Sequence, residues 1–212
     1  MTHITLIGDS IFDNKVYVGK GRSVIEHLQE QKLPGWEASL RAVDGSITTD
    51  VAAQLPKVPK ETTQLFLSVG GNDALREMRI LDAKVRSSVE TLEMLSDAAS
   101  GFEARYGKMI DKVLNLNLPT TVCTIYYPRF EDALMQKLAV AALASFNDVI
   151  IRQAFRAALP LIDLRLLCNE DADYANPIEP SEAGGFKIAQ TIMKVVNVHD
   201  FENDDGRTVV YF

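Results

Sequence analysis

Four short clusters hold the residues of this sequence that can do chemistry: Gly8-Asp9-Ser10, Asp44-Gly45-Ser46, Gly70-Gly71-Asn72-Asp73 and Asn176-Pro177-Ile178-Glu179. Taken singly, each has an ordinary explanation. Asp and Ser after a strand are turn and cap residues, so Ser10 alone reads as a nucleophile, a phosphate contact or a helix cap. Gly70 and Gly71 can serve only to supply positive φ, and Gly45 can turn the chain while Thr48 or Thr49 caps a short helix. In combination the clusters say more. Acyl transfer needs a nucleophile and preorganised N–H donors aimed at the developing oxyanion, and a serine, a glycine amide and an asparagine carboxamide on adjacent strand ends supply that set.

The elements that must position these residues are legible from periodicity. Strand-like runs occur at Ile4–Ile7, Glu37–Val43, Gln64–Val69, Thr121–Tyr126 and Leu161–Leu164, separated by amphipathic helical patterns, which is the signature of a parallel sheet with helices on both faces. The stripes Val24/Ile25/Leu28, Val85/Val89/Leu92/Leu95 and Met109/Ile110/Val113/Leu114 read as helix faces in contact with the core, and Leu134, Leu138, Leu143, Phe146 and Ile150 repeat the spacing. In an open parallel sheet ligands bind beyond the carboxyl ends of the strands, so all four clusters are expected at one edge. The chain is expected to form one domain over 1–200. The tail 201–212 ends in the short run Thr208–Phe212, an added edge strand or a partner contact.

Composition narrows the function classes. A net charge of −7 with scattered Lys and Arg offers no basic face for a phosphate backbone, which argues against nucleic acid as a partner and for a small or neutral ligand. The two cysteines form neither a metal-ligand cluster nor a disulfide framework, and no metal or cofactor is expected. No charged leader with an apolar stretch opens the chain and no apolar run reads as a bilayer span, so the expectation is a cytoplasmic protein with no membrane partner. A nucleotide binder of this architecture would carry Gly-x-Gly-x-x-Gly in its first turn or a Gly-rich loop ending in Lys-Ser/Thr, and neither is present.

The blocks "IGDSIFDN", "DGS" and "GGND", in that order and at these intervals, resemble the SGNH or GDSL hydrolases across nearly the whole chain. The resemblance implies a flavodoxin-like, three-layer α/β/α fold on a five-stranded parallel sheet. It also implies an esterase, lipase or acyl hydrolase acting on a small-molecule ester. By the same resemblance Ser10 is the nucleophile, and the Ser10 and Gly45 N–H groups with the Asn72 side chain form the oxyanion hole. Asp9, Asp13 and Asp73 are assigned to substrate binding, with Asn14 and Tyr17 beside them at the pocket mouth. The expected substrate is a small acyl or acetyl ester.

The chain departs from the family in its last block. Where the family has Asp-x-x-His before Pro and a small polar residue, this chain reads "DYANPIEPSEAGG". Setting Glu179-Pro180-Ser181 on His-Pro-Ser places Glu179 as the base and Asn176 in the Asp slot. A competing register keeps Asp173 as the acid and puts Asn176 in the His slot. The first fits without a shift, and a neutral Asn176 donating an N–H bond suits an anionic Glu179 better than a second carboxylate would. An ordinary Glu titrates near ~4.3 against ~6.5 for His, so the pair needs burial to become a good base. His3, His27 and His199 are read as packing or surface residues. Without an effective base the same residues describe a non-catalytic binding protein.

Overall fold

The computed structural model describes residues 1–30, 35–201 and 206–212. Its strands are β1 (Thr2–Gly8), β2 (Trp36–Leu40), β3 (Gln64–Ser68), β4 (Thr120–Cys123), β5 (Leu161–Ile162), β6 (Tyr174–Asn176), β7 (Glu179–Pro180) and β8 (Val210–Tyr211). The helices are α1 (Lys15–Val18), α2 (Val24–Glu30), α3 (Val51–Gln54), α4 (Gly71–Arg76), α5 (Ser88–Leu114), α6 (Ala133–Arg156), α7 (Leu164–Leu167) and α8 (Glu182–Val198). Six strands form one parallel sheet in the order β2-β1-β3-β4-β5-β8, and β6 and β7 form a separate antiparallel pair.

Strand alternation sends successive side chains to opposite faces and so divides the core in two. Ile4 and Leu6 of β1 pack with Val24 and Leu28 of α2 and with Ile188, Ile192 and Val195 of α8. Ile7, Leu65 and Leu67 pack on the other face against Phe102, Tyr106 and Ile110 of α5 and Phe146 and Ile150 of α6. The result is the α/β/α architecture with one strand more than the five expected, because the tail pairs through Leu161–Val210 and Ile162–Tyr211. The strand order reverses around β1. The crevice beyond β1 and β3 is therefore the topological switch point, where ligands bind in such sheets.

Two expectations need correction. Val85, Val89 and Leu92 are 39%, 69% and 64% exposed, so this stripe is not core. The first fourteen residues of α5 and the first ten of α6 contain no fully buried side chain; Leu95 and Ala98 are partly buried against the core, and the later turns carry the buried residues. The second correction concerns α6, whose length and mean hydropathy of 1.4 are enough to cross a membrane by composition alone. In the fold Leu143, Phe146, Val149 and Ile150 of this helix pack into the sheet core, and 28% of the apolar window is buried.

Candidate active site

The turn that presents Ser10 is set by backbone sterics. Gly8, with φ of 123°, sits so close to β3 that a Cβ would lie 1.8 Å from the Ser68 carbonyl oxygen, so no other residue fits. The Asp9 N–H donates to that same oxygen (2.9 Å), and the Phe12 and Asp13 N–H groups donate back to the Asp9 carbonyl (3.2 and 3.1 Å). The chain is thus bent sharply at Ser10, which is 6% exposed. Its Oγ donates to Glu179 Oε1 at 3.1 Å.

Glu179 is delivered by the β6–β7 pair. Asn176 Oδ1 accepts from the Ile178 and Glu179 N–H groups, both at 3.0 Å, the Tyr126 hydroxyl donates to the Ile178 carbonyl (2.7 Å), and Ser181 caps α8 by accepting from the Gly184 N–H. Burial raises the Glu179 carboxyl to about 7; the Ser10 hydrogen bond opposes this and the charge of Asp44 adds to it. Its Oε2 is buried with no hydrogen-bond partner among the described residues. The expected role of Asn176 is thereby corrected. Its exposed carboxamide turns its oxygen to the backbone and builds the turn that carries the carboxylate, an arrangement natural for Asn before Pro. The competing register fails on geometry, since Asp173 is paired with the Lys187 ammonium at 2.8 Å and accepts from the Glu170 N–H.

The second and third clusters are tied together. Asn72 Nδ2 donates to the Ser46 carbonyl at 3.0 Å, which fixes the plane of the carboxamide and leaves its other N–H for a ligand. Gly45, at φ of 77°, is exposed in the loop after β2. Asp73 Oδ2 accepts from both the N–H and the hydroxyl of Thr48 at 2.8 Å, and Asp13 Oδ2 accepts from the Asp44 N–H at 3.0 Å. The carboxylates of Asp13 and Asp73, expected to contact substrate, instead satisfy backbone groups of a loop that has no strand to do so.

A cavity of about 440 Å³ opens at this edge. Asp9, Ser10, Asn72 and Glu179 stand in its wall, and Gly45, Asp13, Asp73 and Asn176 do not. The rest of the wall is largely apolar, including Leu75, Met78, Leu95, Ile125, Phe130 and Phe146, with Leu92 and Leu138 from the overhanging helix ends. Asn147, fully buried on α6, holds the loop after β4 by pairing both ends of its carboxamide with the Ile125 backbone at 2.8 Å. A helical stripe lining a cavity has the same spacing as one lining a core, and so the sequence does not distinguish them. The histidines are engaged elsewhere: His3 with Ser39, His27 with the Glu182 carbonyl and His199 with the Tyr211 hydroxyl. No group of three or more His, Cys, Asp or Glu suited to a metal ion occurs among the described residues.

Asp9 is 3% exposed, and burial, joined by the charges of Glu179 and Asp73, raises its carboxyl to about 8 against the opposing Ile11 N–H bond. Both this carboxyl and that of Glu179 hold their proton more tightly folded than unfolded. Folding is therefore most favoured below the unfolded values and loses stability as pH rises toward about 7 for Glu179 and about 8 for Asp9. The denaturation midpoint is expected to fall between about pH 5 and pH 8. Asp9→Asn should flatten the part of that slope above pH 7 and raise the midpoint at pH 8. An Asp9→Asn protein less stable than wild type at every pH would show that the carboxylate form is the one the fold needs.

The profile of the GDSL-like Lipase/Acylhydrolase family matches residues 6–185. No curated protein matches the chain. Among solved structures, an extracellular lipase from Streptomyces rimosus is 18% identical with a TM-score of 0.69, the match covering 94% of this chain and 100% of the lipase. Phospholipase A1 from Streptomyces albidoflavus is 15% identical with a TM-score of 0.67, covering 89% and 98%. A catalytic mutant of an acetylxylan esterase from Geobacillus stearothermophilus is 16% identical with a TM-score of 0.64, covering 91% and 93%. These likenesses show the fold, and the family match over most of the length, with its three blocks at the ends of β1, β2 and β3, shows that the chain belongs to the GDSL-like lipase/acylhydrolase family.

Proposed function

We propose that the protein is a serine hydrolase for esters of an apolar acyl chain, with Ser10 as nucleophile and Glu179 as general base. The observation that carries this reading is the Ser10 Oγ–Glu179 Oε1 hydrogen bond of 3.1 Å at the polar end of an apolar cavity. Ser10 Oγ attacks the ester carbonyl carbon as its proton passes to Glu179 Oε1. The oxyanion is received by the Ser10 and Gly45 N–H groups and the remaining N–H of Asn72. Glu179 then returns the proton to the departing alkoxide, leaving an ester on Ser10. In the second half Glu179 takes a proton from water as the hydroxide bonds to the acyl carbonyl carbon; the carbon–Ser10 Oγ bond then breaks, Glu179 returns the proton to Oγ, and the acid is released. A carboxyl held at about 7 is as basic as an ordinary imidazole, which favours catalysis over the reading as a binding protein.

The cavity supports a longer acyl group than the small acyl or acetyl group expected from the resemblance. A cavity of about 150 Å³ is enough for benzene; one of about 440 Å³ far exceeds an acetyl group and suits a chain of roughly eight carbons or more. Each methylene buried is worth up to about 0.8 kcal/mol. Across p-nitrophenyl esters, kcat/KM is therefore expected to rise by about 10-fold to 10³-fold over the added methylenes from acetate to octanoate. Acetate as the best substrate would remove the assignment of this cavity to the acyl chain. On the alcohol, the Tyr17 hydroxyl donates to Asp44 Oδ2 at 2.8 Å, and neither residue lines the cavity. Asp44 and Asp13, which have no Lys, Arg or His ion-pair partner among the described residues, favour a neutral or cationic alcohol over a phosphorylated one.

A further inference from the structure

Gln54 is the last residue of the four-residue helix α3, in no block that suggests chemistry, yet it is 3% exposed and all of its polar atoms are engaged next to the site. Its Oε1 accepts from the Gly8 N–H at 2.8 Å, and its Nε2 donates to the Gly8 carbonyl at 2.8 Å and to Ser46 Oγ at 3.3 Å. The carboxamide orientation is fixed by this pattern, since only the oxygen can face an N–H and only the nitrogen a carbonyl. The reason for the arrangement lies in the sheet. The β1–β2 register ends at Leu6–Leu40, so Gly8 lies beyond the paired length of β2; there its carbonyl still accepts from the Val43 N–H at 3.1 Å, while its N–H is met by Gln54. Gln54 completes the pairing of Gly8 where the β2 ladder has stopped.

We infer that Gln54 is a positioning residue for catalysis, a strut that holds the Ser10 turn and the Gly45–Ser46 loop in one fixed relation. The three expected oxyanion donors all sit on the segments it joins, where it acts beside the Val43 N–H bond to the Gly8 carbonyl (3.1 Å) and the Asp44 N–H bond to Asp13 (3.0 Å). Ser10 N–H lies two residues beyond Gly8, Gly45 N–H one residue before Ser46, and the Asn72 carboxamide is oriented by the Ser46 carbonyl. Shifting either loop by a fraction of an ångström moves two of the donors relative to the third, and donors for an oxyanion act only when they converge on one position. The substrate's ground-state contacts, in contrast, lie along the apolar wall, which Gln54 does not touch. The strut therefore acts on the transition state and leaves substrate binding nearly unchanged. This rests on the hydrolase reading for its kinetic consequence and on hydrogen bonds alone for its structural one.

The test compares wild type with Gln54→Met, which keeps length and loses the hydrogen bonds, and with Ser46→Ala, which deletes only the distal end of the strut. Gln54→Met is expected to lower kcat, per active site titrated with a fluorophosphonate, by about 10-fold to 10²-fold with KM within about threefold. Affinity for an alkylboronic acid, which mimics the tetrahedral state, should fall in parallel. Ser46→Ala should show the same pattern at several-fold. With Asn72→Ala the Gln54 effect should shrink, since one oriented donor is already gone. Hydrogen exchange should show peptides over 4–14 and 43–50 losing protection together in Gln54→Met while β3 and α8 keep theirs. An unchanged kcat per titrated site, a loss confined to KM, or exchange spread evenly over the fold would overturn the inference. If wild type neither hydrolyses esters nor titrates, the hydrolase reading fails, and the coupled exchange of the two loops still decides whether Gln54 joins them.

Discussion

Glu179→Gln is expected to lower kcat/KM by about 10²-fold to 10⁴-fold, the range for a positioned acid–base group, with little change in folding. Gln keeps the shape and can still accept the Ser10 hydroxyl through its oxygen, but it cannot take the proton. The pH dependence gives the sign. Only ionised Glu179 is a base, so log kcat/KM in wild type should climb with pH through about 7 and then level, and Glu179→Gln should lose that inflection. Asp44→Asn should move the inflection down, because the Asp44 charge helps to raise it. An imidazole would give an inflection in the same range, so temperature separates the two. Carboxyl ionisation carries little enthalpy and its inflection should hardly move, whereas that of imidazole falls on warming. An inflection that shifts like imidazole, with Glu179→Gln fully active, would return attention to His3, His27 and His199.

The larger effect belongs to Ser10→Ala. Removing the nucleophile leaves the oxyanion donors and the acyl cavity, which by themselves retain on the order of 10³-fold to 10⁴-fold acceleration over water, and the loss relative to wild type should reach at least about 10⁴-fold. Ser10 makes one side-chain hydrogen bond, to Glu179, so the fold should survive the change.

The sequence made β1, β3 and the convergence of the clusters legible because continuous apolar runs ending in glycine have few other meanings. β2 was read as reaching Val43 and stops at Leu40, since the propensity of Arg41–Val43 is overridden where the loop turns to meet Asp13 through the Asp44 N–H and Gln54 through Ser46 Oγ. Placing Glu179 opposite Ser10 rested on the resemblance to the family's His-Pro-Ser block, with the Pro-Ser-x-x-Gly spacing choosing the register. The role of Asn176 was not legible, because a carboxamide offers a donor and an acceptor and sequence does not say which end faces the carboxylate. Asp13 and Asp73 were misread for a related reason. A carboxylate near a site serves a substrate or a loop equally well by type, and here Thr48 and Asp44 claim them first. Gln54 gave no signal at all, since its function depends on β2 being shorter than β1 at that end.

The central claim, a Ser10 nucleophile served by Glu179, is tested most directly by intact-mass measurement of fluorophosphonate labelling at about pH 5.5 and pH 8.5 in wild type, Ser10→Ala and Glu179→Gln. Wild type is expected to take one label, on Ser10, about 10-fold or more faster at the higher pH, because only there is Glu179 ionised. Ser10→Ala should take none, and Glu179→Gln should label slowly at both. Labelling that persists in Ser10→Ala, or a wild-type protein that remains unlabelled at pH 8.5, would contradict the account.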